Sequence, residues 1–400
     1  MATPRFSDSP DARSKSITTA DGLDTFGILN QHSVGNTAFQ VGVSDDKGTR
    51  RYMEDAHSFV VDFAGVRGQG FFAVFDGHAG KHAAEWCGEH FHEYLLGSLR
   101  TSSSSTIPDI LNETFHHVDR RISLLCEESD GKIHSGCTAV TAFLRIEDAD
   151  GDQSFLTSPI TSQPSAAIPS PEDTKSVTSV QESRVSDSEE DASGPDKTNK
   201  KPKSASASPT NRFTRALKNL GGGGNSPPPS PASLPATENN INTSAVVYPP
   251  PSFRRMLYTA NAGDARGVLC RAGKAVRLTY DHKGSDKQEA KRITDAGGFV
   301  MSGRVNGVLA VTRSLGDSSM KEFVVGSPYT TETQLTDDDE FMILACDGLW
   351  DITGDQGAID LIRNIKDAQE ASRTLVQHAL SKQTYDNVTV IVVRFNHGAP

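Results

Sequence analysis

The sequence predicts an α+β fold with mainly antiparallel sheets. Short apolar runs that end at turn residues indicate strands, and these runs occur in groups along the chain. Between the groups, apolar residues with helical spacing indicate helices in pairs, at 79–95 with 111–125 and at 358–365 with 375–380. A parallel α/β sheet would need strands and helices to alternate one by one, so the grouping favours antiparallel sheets.

The strands follow from local pattern. Residues 39–43 alternate between apolar and polar, whereas 71–75 is a continuous apolar run typical of a buried strand. Residues 135–144 and 256–262 form strands on either side of a long polar stretch, which indicates a hairpin with an enlarged connection. The remaining predicted elements are a hairpin at 267–270 and 275–278, a polar helix at 285–296, a strand at 341–346 and a closing strand at 388–395.

Two segments differ from the rest in composition. Residues 1–38 carry no sustained apolar pattern, and residues 147–252 are dominated by Ser, Pro, Thr, Lys and acids. Neither segment can bury enough apolar surface to offset its chain entropy, so we expect a disordered N-terminal tail and a disordered insert. The predicted folded domain is formed by 39–146 and 253–396, which together are long enough for one large core.

The insert carries two features that could be regulatory. Its stretch 211–220 is basic and amphipathic, and either a partner-docking segment or a plain linker would have this pattern. Serines that precede proline resemble sites of proline-directed kinases, although low-complexity sequence also produces such pairs by chance. These serines are Ser158, Ser170, Ser208, Ser226 and Ser230.

Composition excludes several classes of function. The net charge of -11 argues against a general nucleic-acid-binding surface. No apolar run approaches the roughly 20 residues that span a bilayer, and no secretory leader pattern is present, so we expect no membrane association and a location in the cytoplasm and/or nucleus. We also expect a monomer. The 5 cysteines lie singly without a C-x-x-C pair, which indicates reduced, packed thiols.

Acidic residues stand at the ends of several predicted strands. Asp76-Gly77 follows the apolar run 71–75, Asp347-Gly348 follows the strand 341–346, and Asp386 precedes the last strand. Taken singly, Asp-Gly is a common turn signal and needs no function. If acids from separate strands converge, however, their repulsion would be severe without cations, and carboxylates without cysteine suit Mg²⁺ or Mn²⁺ better than Zn²⁺. The acids concerned are Glu54, Asp76, Asp264, Asp347, Asp351 and Asp386.

Seven short motifs follow one another along the predicted domain. They lie at 50–55, 75–78 (Phe-Asp-Gly-His), 135–139 (Ser-Gly-Cys-Thr-Ala), 262–266 (Ala-Gly-Asp-Ala-Arg), 309–317, 345–351 and 386–393. In this order they resemble the signatures of the metal-dependent type 2C serine/threonine protein phosphatases, most closely those of the fungal members. The resemblance implies a sandwich of two mainly antiparallel sheets flanked by pairs of helices, with a metal cleft at one end. It also implies hydrolysis of phosphoserine and phosphothreonine in protein substrates.

The resemblance also implies roles for the acids. Asp76 would bridge two Mg²⁺ or Mn²⁺ ions, and the carbonyl of Gly77 would bind the first ion. Asp347 and Asp386 would hold the second ion, which Glu54 would contact through water. A weaker third ion would lie among Asp264, Asp347 and Asp351.

Two further side chains complete the implied mechanism. Arg50 would grip the substrate phosphate with its planar guanidinium, with Arg51 as the alternative because the arginine is doubled. His78 would protonate the leaving oxygen, or alternatively hold Asp76 by a hydrogen bond. Hydroxide bridging the two ions would attack phosphorus in line. No cysteine is followed six positions later by arginine, so a cysteine nucleophile is not expected.

The sequence leaves alternatives for the substrate and for the activity. A signalling kinase, by analogy with fungal relatives a MAP kinase, is the leading candidate substrate. The alternatives are an inactive phosphoprotein-binding scaffold that uses Arg50, and a hydrolase of small phosphomonoesters or nucleic acid. Residues 283–303 match a variable flap beside the family's cleft, where substrate choice could be determined.

Overall fold

The computed structural model of the chain describes residues 38–102, 105–129, 134–156 and 246–396, all of which belong to one compact unit. The tail 1–37 and residues 157–245 of the insert lie outside the described residues. So do the five Ser-Pro pairs and the basic stretch 211–220. The predicted disorder and the predicted domain boundaries therefore stay predictions.

Strands account for most of the described core. In chain order they are β1 (Phe39–Asp46), β2 (Ala56–Val61), β3 (Gly70–Phe75), β4 (Gly77–His78), β5 (Gly136–Cys137), β6 (Ala139–Glu147), β7 (Arg254–Ala262), β8 (Arg266–Arg271), β9 (Lys274–Arg277), β10 (Val300–Met301), β11 (Arg304–Val305), β12 (Leu315–Gly316), β13 (Tyr329–Gln334), β14 (Asp339–Ala345) and β15 (Val388–Phe395).

The strands form two large sheets and two small ones. One large sheet has the order β1-β15-β14-β8-β9, and the other has the order β13-β7-β6-β3-β2. Every neighbouring pair in these sheets is antiparallel. The small sheets are β12-β5-β4 and β10-β11. The predicted α+β class with antiparallel sheets is confirmed.

Helices cover the outer face of each large sheet. The helices are α1 (His82–Thr101), α2 (Ile107–Glu128), α3 (Lys287–Asp295), α4 (Asp347–Trp350), α5 (Asp355–Ile362) and α6 (Ala368–Ser381), with short 3₁₀ turns at Phe63–Gly65 and Ser318–Met320. Apolar residues of α1 and α2 pack on the sheet that contains β3, and those of α5 and α6 pack on the sheet that contains β15. Among the described residues, no helix is both long and apolar enough to cross a membrane.

Strand β3 shows why the apolar run at its centre is continuous. Phe72 and Val74 face the opposite sheet, whereas Phe71, Ala73 and Phe75 face the helices. All five are fully buried, and each large side chain so buried contributes roughly 1.5–3 kcal/mol. Because both faces are packed, the end of β3 is held rigidly, and Asp76 follows directly from it.

The long polar segment leaves the fold at one hairpin. β6 pairs antiparallel with β7 from Ala139 opposite Ala262 to Glu147 opposite Arg254. The fully buried Glu147 accepts hydrogen bonds from Arg254 and from the hydroxyl of Tyr258 at this closing end. The predicted hairpin with an enlarged connection is confirmed, and the connection emerges at the end of the sheet remote from Asp76.

Candidate active site

The residues that the sequence predicted for catalysis and metal binding all line one cavity of about 660 Å³. They are Arg50, Glu54, Asp76, Gly77, His78, Asp264, Asp347, Asp351 and Asp386. Asp347, Asp351 and Asp386 also line a second, smaller cavity.

Antiparallel pairing brings the acidic strand ends to one edge. β3 and β7 both pair with β6, and their carboxyl ends lie beside its first residues, which carries Asp76 and Asp264 to the same side. In the other sheet, the end of β14 lies beside the start of β15, which carries Asp347 next to Asp386. The two sheets face one another through a shared core, so the four acids meet at one end of the sandwich.

Two glycines permit the close approaches on which this arrangement depends. A Cβ at Gly77 would lie 2.2 Å from the carbonyl oxygen of Glu54, so only glycine lets these two loops touch. A Cβ at Gly348 would lie 1.9 Å from the carbonyl oxygen of Asn387. Glycine is therefore required sterically where Glu54 approaches the Asp76 turn and where Asp347 approaches Asp386.

Crowding of carboxylates in a partly desolvated cavity shifts their pKa values upward. Burial, together with the negative charges of Asp264 and Asp386, raises the pKa of Asp347 to about 8. Burial also raises the pKa of Asp76, with added effects from Asp55 and Asp347. Ionising these acids together is therefore unfavourable unless a cation lies between them, as expected of a site for divalent cations.

Asp55 is a member of this cluster that the sequence interpretation missed. Its Oδ2 accepts a hydrogen bond from Thr389 Oγ1 at 2.7 Å, while its buried Oδ1 has no hydrogen-bond partner among the described residues. Carboxylate oxygens of Asp55 and Asp76 and the sulfur of Cys346 lie within 4.8 Å of one another. The sequence interpretation chose only its neighbour Glu54 as a metal ligand. Met53 and Asp55 are both buried just before β2, and their spacing of two residues places both side chains on the inner face.

The donor set fits a hard cation. Burial, with the charges of Asp55 and Asp76, raises the pKa of the Cys346 thiol well above its usual range. The thiol contacts the carbonyl oxygen of Asn387 at 3.4 Å and accepts from the Thr389 N–H at 3.1 Å. A protonated thiol leaves the carboxylates and the Gly77 carbonyl as ligands, which suits Mg²⁺ or Mn²⁺.

The two arginines at the rim have different contacts. Arg50 Nη2 lies 2.6 Å from Asp386 Oδ2, and its Nε donates to the carbonyl oxygen of Tyr385. The Arg51 guanidinium instead lies over the ring of Tyr52, at 5.1 Å from its centroid. Both line the cavity, but Arg50 is the one in contact with the acid cluster.

Asn387 holds the rim loop in place, a role that the sequence interpretation did not assign. Its Oδ1 accepts from the backbone N–H of Glu54 at 2.8 Å, and its Nδ2 donates to the carbonyl oxygens of Lys47 and Tyr52. The only signal in the sequence was its position after Asp386.

His78 in the lining, and Lys283 next to it, make ion pairs with further acids. His78 Nε2 lies 2.7 Å from Asp317 Oδ2, so the hydrogen bond that the structure gives His78 goes to Asp317. Lys283 Nζ lies 3.4 Å from Asp264 Oδ2 and 3.2 Å from Asp351 Oδ1. Neither Asp317 nor Lys283 was among the predicted site residues.

Comparisons with known proteins agree with this geometry. The family model described as Protein phosphatase 2C matches residues 39–149 and 237–388. Protein phosphatase 2C homolog 1 of Saccharomyces cerevisiae is 36% identical over 359 residues, which cover 89% of this chain and 93% of the yeast protein. Protein phosphatase 2C homolog 1 of Schizosaccharomyces pombe is 35% identical over 355 residues, which cover 88% of this chain and 72% of that protein.

A solved structure supports the fold independently. The crystal structure of serine-threonine phosphatase 2C from Toxoplasma gondii matches with a TM-score of 0.59 at 16% identity, covering 92% of this chain and 98% of that one. The predicted resemblance, including its fungal character, is confirmed. The chain belongs to the protein phosphatase 2C family, the metal-dependent protein serine/threonine phosphatases.

Proposed function

We propose that this chain hydrolyses phosphoserine and phosphothreonine in proteins with two Mg²⁺ or Mn²⁺ ions held by its acid cluster. One observation carries the proposal. Acids from the ends of both sheets converge on a single cavity whose rim bears an arginine suited to phosphate.

The ligand assignment is the one that the family resemblance implies, and the cluster supports it. Asp76 has acidic neighbours from both sheets, since Asp55 and Asp347 both raise its pKa, and this supports a bridging role. Asp347 and Asp386 would hold one ion, which Glu54 would contact through water, and the Gly77 carbonyl would hold the other. A weaker third position would lie among Asp264, Asp347 and Asp351. When bound, the ions would lower the pKa of a water molecule and so supply hydroxide near neutral pH.

Arg50 would bind the substrate phosphate. Its side chain is 55% exposed, and its partner Asp386 is a proposed metal ligand. A cation at Asp386 would weaken the Arg50 ion pair, which frees the planar guanidinium for two hydrogen bonds to phosphate oxygens. The cation–π contact of Arg51 with Tyr52 favours Arg50 over Arg51 for this role.

His78 would deliver a proton to the departing serine or threonine oxygen. Its Nε2 is engaged by the buried carboxylate of Asp317, which fixes the ring and leaves the other nitrogen for the proton transfer. A general acid of this kind contributes typically 10²- to 10⁴-fold to the rate.

The rim supports a protein substrate. The hairpin β10–β11 reaches the cavity through Arg304 and exposes Phe299, Met301 and Val308, a patch that a folded or extended polypeptide could cover. This favours a phosphoprotein over a small phosphomonoester. The intact acid cluster gives no support to the alternative of an inactive scaffold.

The cellular role is a wider proposal. We propose a phosphorylated kinase of a signalling pathway as substrate, with a MAP kinase as leading candidate on the strength of the fungal resemblance, and a monomeric enzyme in the cytoplasm and/or nucleus.

The direct test is hydrolysis of a phosphothreonine peptide by the full chain with Mn²⁺ or Mg²⁺, compared with the same assay in EDTA. We expect turnover with either ion and none in EDTA. Undiminished phosphate release in EDTA would contradict the metal-dependent mechanism.

A further inference from the structure

Lys283 places a positive charge inside the acid cluster. Its Nζ lies 3.4 Å from Asp264 Oδ2 and 3.2 Å from Asp351 Oδ1, so one ammonium contacts both carboxylates. These two acids, together with Asp347, are proposed to hold a weaker third ion. The structure thus has a cation of its own at that position.

The backbone on both sides fixes where this lysine sits. Lys283 forms an antiparallel bridge with Val311, which lines the same cavity. The N–H of His282 donates to the carbonyl oxygen of Gly263 at 2.8 Å, and its carbonyl accepts from Thr312. Because the lysine is tied to the end of β7 on one side and to the segment before β12 on the other, its short reach to Asp264 follows from the fold.

We propose that the Lys283 ammonium occupies the third-cation position, and that a third divalent ion binds only by displacing it. The inference rests on the proposed metal-dependent function. An ammonium and a divalent cation repel each other strongly at a separation of a few ångströms, so both cannot share the two carboxylates. The enzyme would hold two ions tightly and the third weakly because Lys283 competes with it.

Competition between Lys283 and a third ion would also affect the rim of the cavity where a protein substrate could bind. Lys283 opens the segment 283–303, which leads through α3 to β10 and its exposed residues. A third ion that displaces Lys283 would therefore release a side chain that anchors the start of this segment to the cluster.

The test counts Mn²⁺ ions rather than turnover. Isothermal titration and Mn²⁺ electron paramagnetic resonance would be applied to the full chain as wild type, Lys283→Met, Lys283→Arg and Lys291→Met. Methionine keeps the apolar stem and removes the charge, whereas arginine keeps the charge. Lys291 on α3 pairs with Asp295 in an exposed i,i+4 ion pair and serves as the matched control.

We expect Lys283→Met to bind a third Mn²⁺ about tenfold or more tightly than wild type, with the two tight ions unchanged. Lys283→Arg and Lys291→Met should retain the weak third affinity of wild type. If Lys283→Met binds the third Mn²⁺ no more tightly than wild type does, this proposal is overturned. The proposed function would still stand in that case, provided that two tight ions and phosphopeptide hydrolysis are observed. Wild-type protein without tight Mn²⁺ binding or hydrolysis would instead overturn the proposed function itself.

Discussion

His78 and Asp317 are separated by more than two hundred positions in the chain, yet His78 Nε2 lies 2.7 Å from Asp317 Oδ2. Strand β5 brings them together, because its Gly136 pairs with His78 on one side and with Gly316 on the other. A Cβ at Gly136 would lie 2.3 Å from Asp317 Oδ2, so the absent side chain leaves room for the carboxylate. Asp317 is therefore a positioning residue for the proposed acid.

Replacing Asp317 with asparagine should impair the proton transfer and little else. We expect kcat on a phosphothreonine peptide to fall by about 10–100-fold, the effect typical of losing a carboxylate that orients a histidine. Hydrolysis of p-nitrophenyl phosphate should change by less than about threefold, because its leaving group needs no proton. The measurement is kcat and KM on both substrates.

The matched variants are His78→Gln and the double variant that combines His78→Gln with Asp317→Asn. If Asp317 acts through His78, the double variant should lose no more activity than His78→Gln alone. Equal losses of Asp317→Asn on both substrates would contradict the positioning role.

Arg50 and Arg51 should differ sharply in substrate binding. We expect Arg50→Ala to raise KM for a phosphopeptide by roughly 10–100-fold, since charge-assisted hydrogen bonds of about 1.5–3 kcal/mol are lost. Arg51→Ala should raise KM by less than about threefold, because Arg51 stacks on Tyr52. Steady-state kinetics on both variants decides the matter, and a larger effect at Arg51 would exchange the two assignments.

Gly77→Ala should destabilise the folded protein. The new methyl would lie 2.2 Å from the Glu54 carbonyl oxygen, which must move away, and overpacking of this kind costs about 1–3 kcal/mol. Urea unfolding measures the loss in the free energy of unfolding.

Gly357→Ala is the matched control for that experiment. Gly357 lies within α5, where a Cβ would make only an ordinary 3.4 Å contact with the methyl of Thr353. Alanine there should leave stability unchanged or raise it by up to about 1 kcal/mol. Equal stability of the Gly77 and Gly357 variants would show that the Gly77 loop is not tightly packed.

Glu289 on α3 should make stability depend on acid pH. Burial favours its neutral form, but hydrogen bonds from Arg313 and Arg292 outweigh burial and lower the pKa of Glu289 to about 2. A pKa below the usual 4.5 means that the carboxylate stabilises the fold above about pH 4.5, and that this contribution is lost as the pH falls toward 2.

Urea unfolding of wild type and Glu289→Gln at several pH values tests this. The wild type should be more stable than the variant by about 1–2 kcal/mol at pH 7, after allowance for solvent screening, and the difference should shrink between about pH 4.5 and pH 3. The exposed Glu322, changed to Gln, should give a difference below about 0.5 kcal/mol at every pH. A Glu289→Gln difference that does not vary with pH would contradict the assignment.

Much of the fold could be predicted because local patterns of apolar and turn residues determine its strands. The continuous apolar run of β3 follows from packing on both faces, and the strands on either side of the insert pair as the turn and strand signals indicated. Asp76 and Asp347 were identified for the same reason, since each directly follows an apolar run.

The rest of the site depends on contacts between distant parts of the chain. Asp317 and Asn387 lie in loops and act through hydrogen bonds to His78 and Glu54, and nothing in their local sequence specifies those partners. Asp55 was missed because Glu54 beside it is equally acidic, and only burial distinguishes them. Lys283 was treated as part of a variable rim, whereas its contacts place it within the acid cluster.

The acids of both sheets are proposed to hold two divalent ions, with Asp76 shared between them. The most direct measurement is the number of Mn²⁺ ions bound by wild type, Asp76→Asn and, as control, Asp360→Asn on the exposed face of α5. Phosphothreonine-peptide hydrolysis would be measured on the same samples. We predict two tight ions and full activity in wild type and Asp360→Asn, with loss of tight binding and at least about a 100-fold loss of activity in Asp76→Asn. Two tightly bound ions together with wild-type activity in Asp76→Asn would contradict the claim.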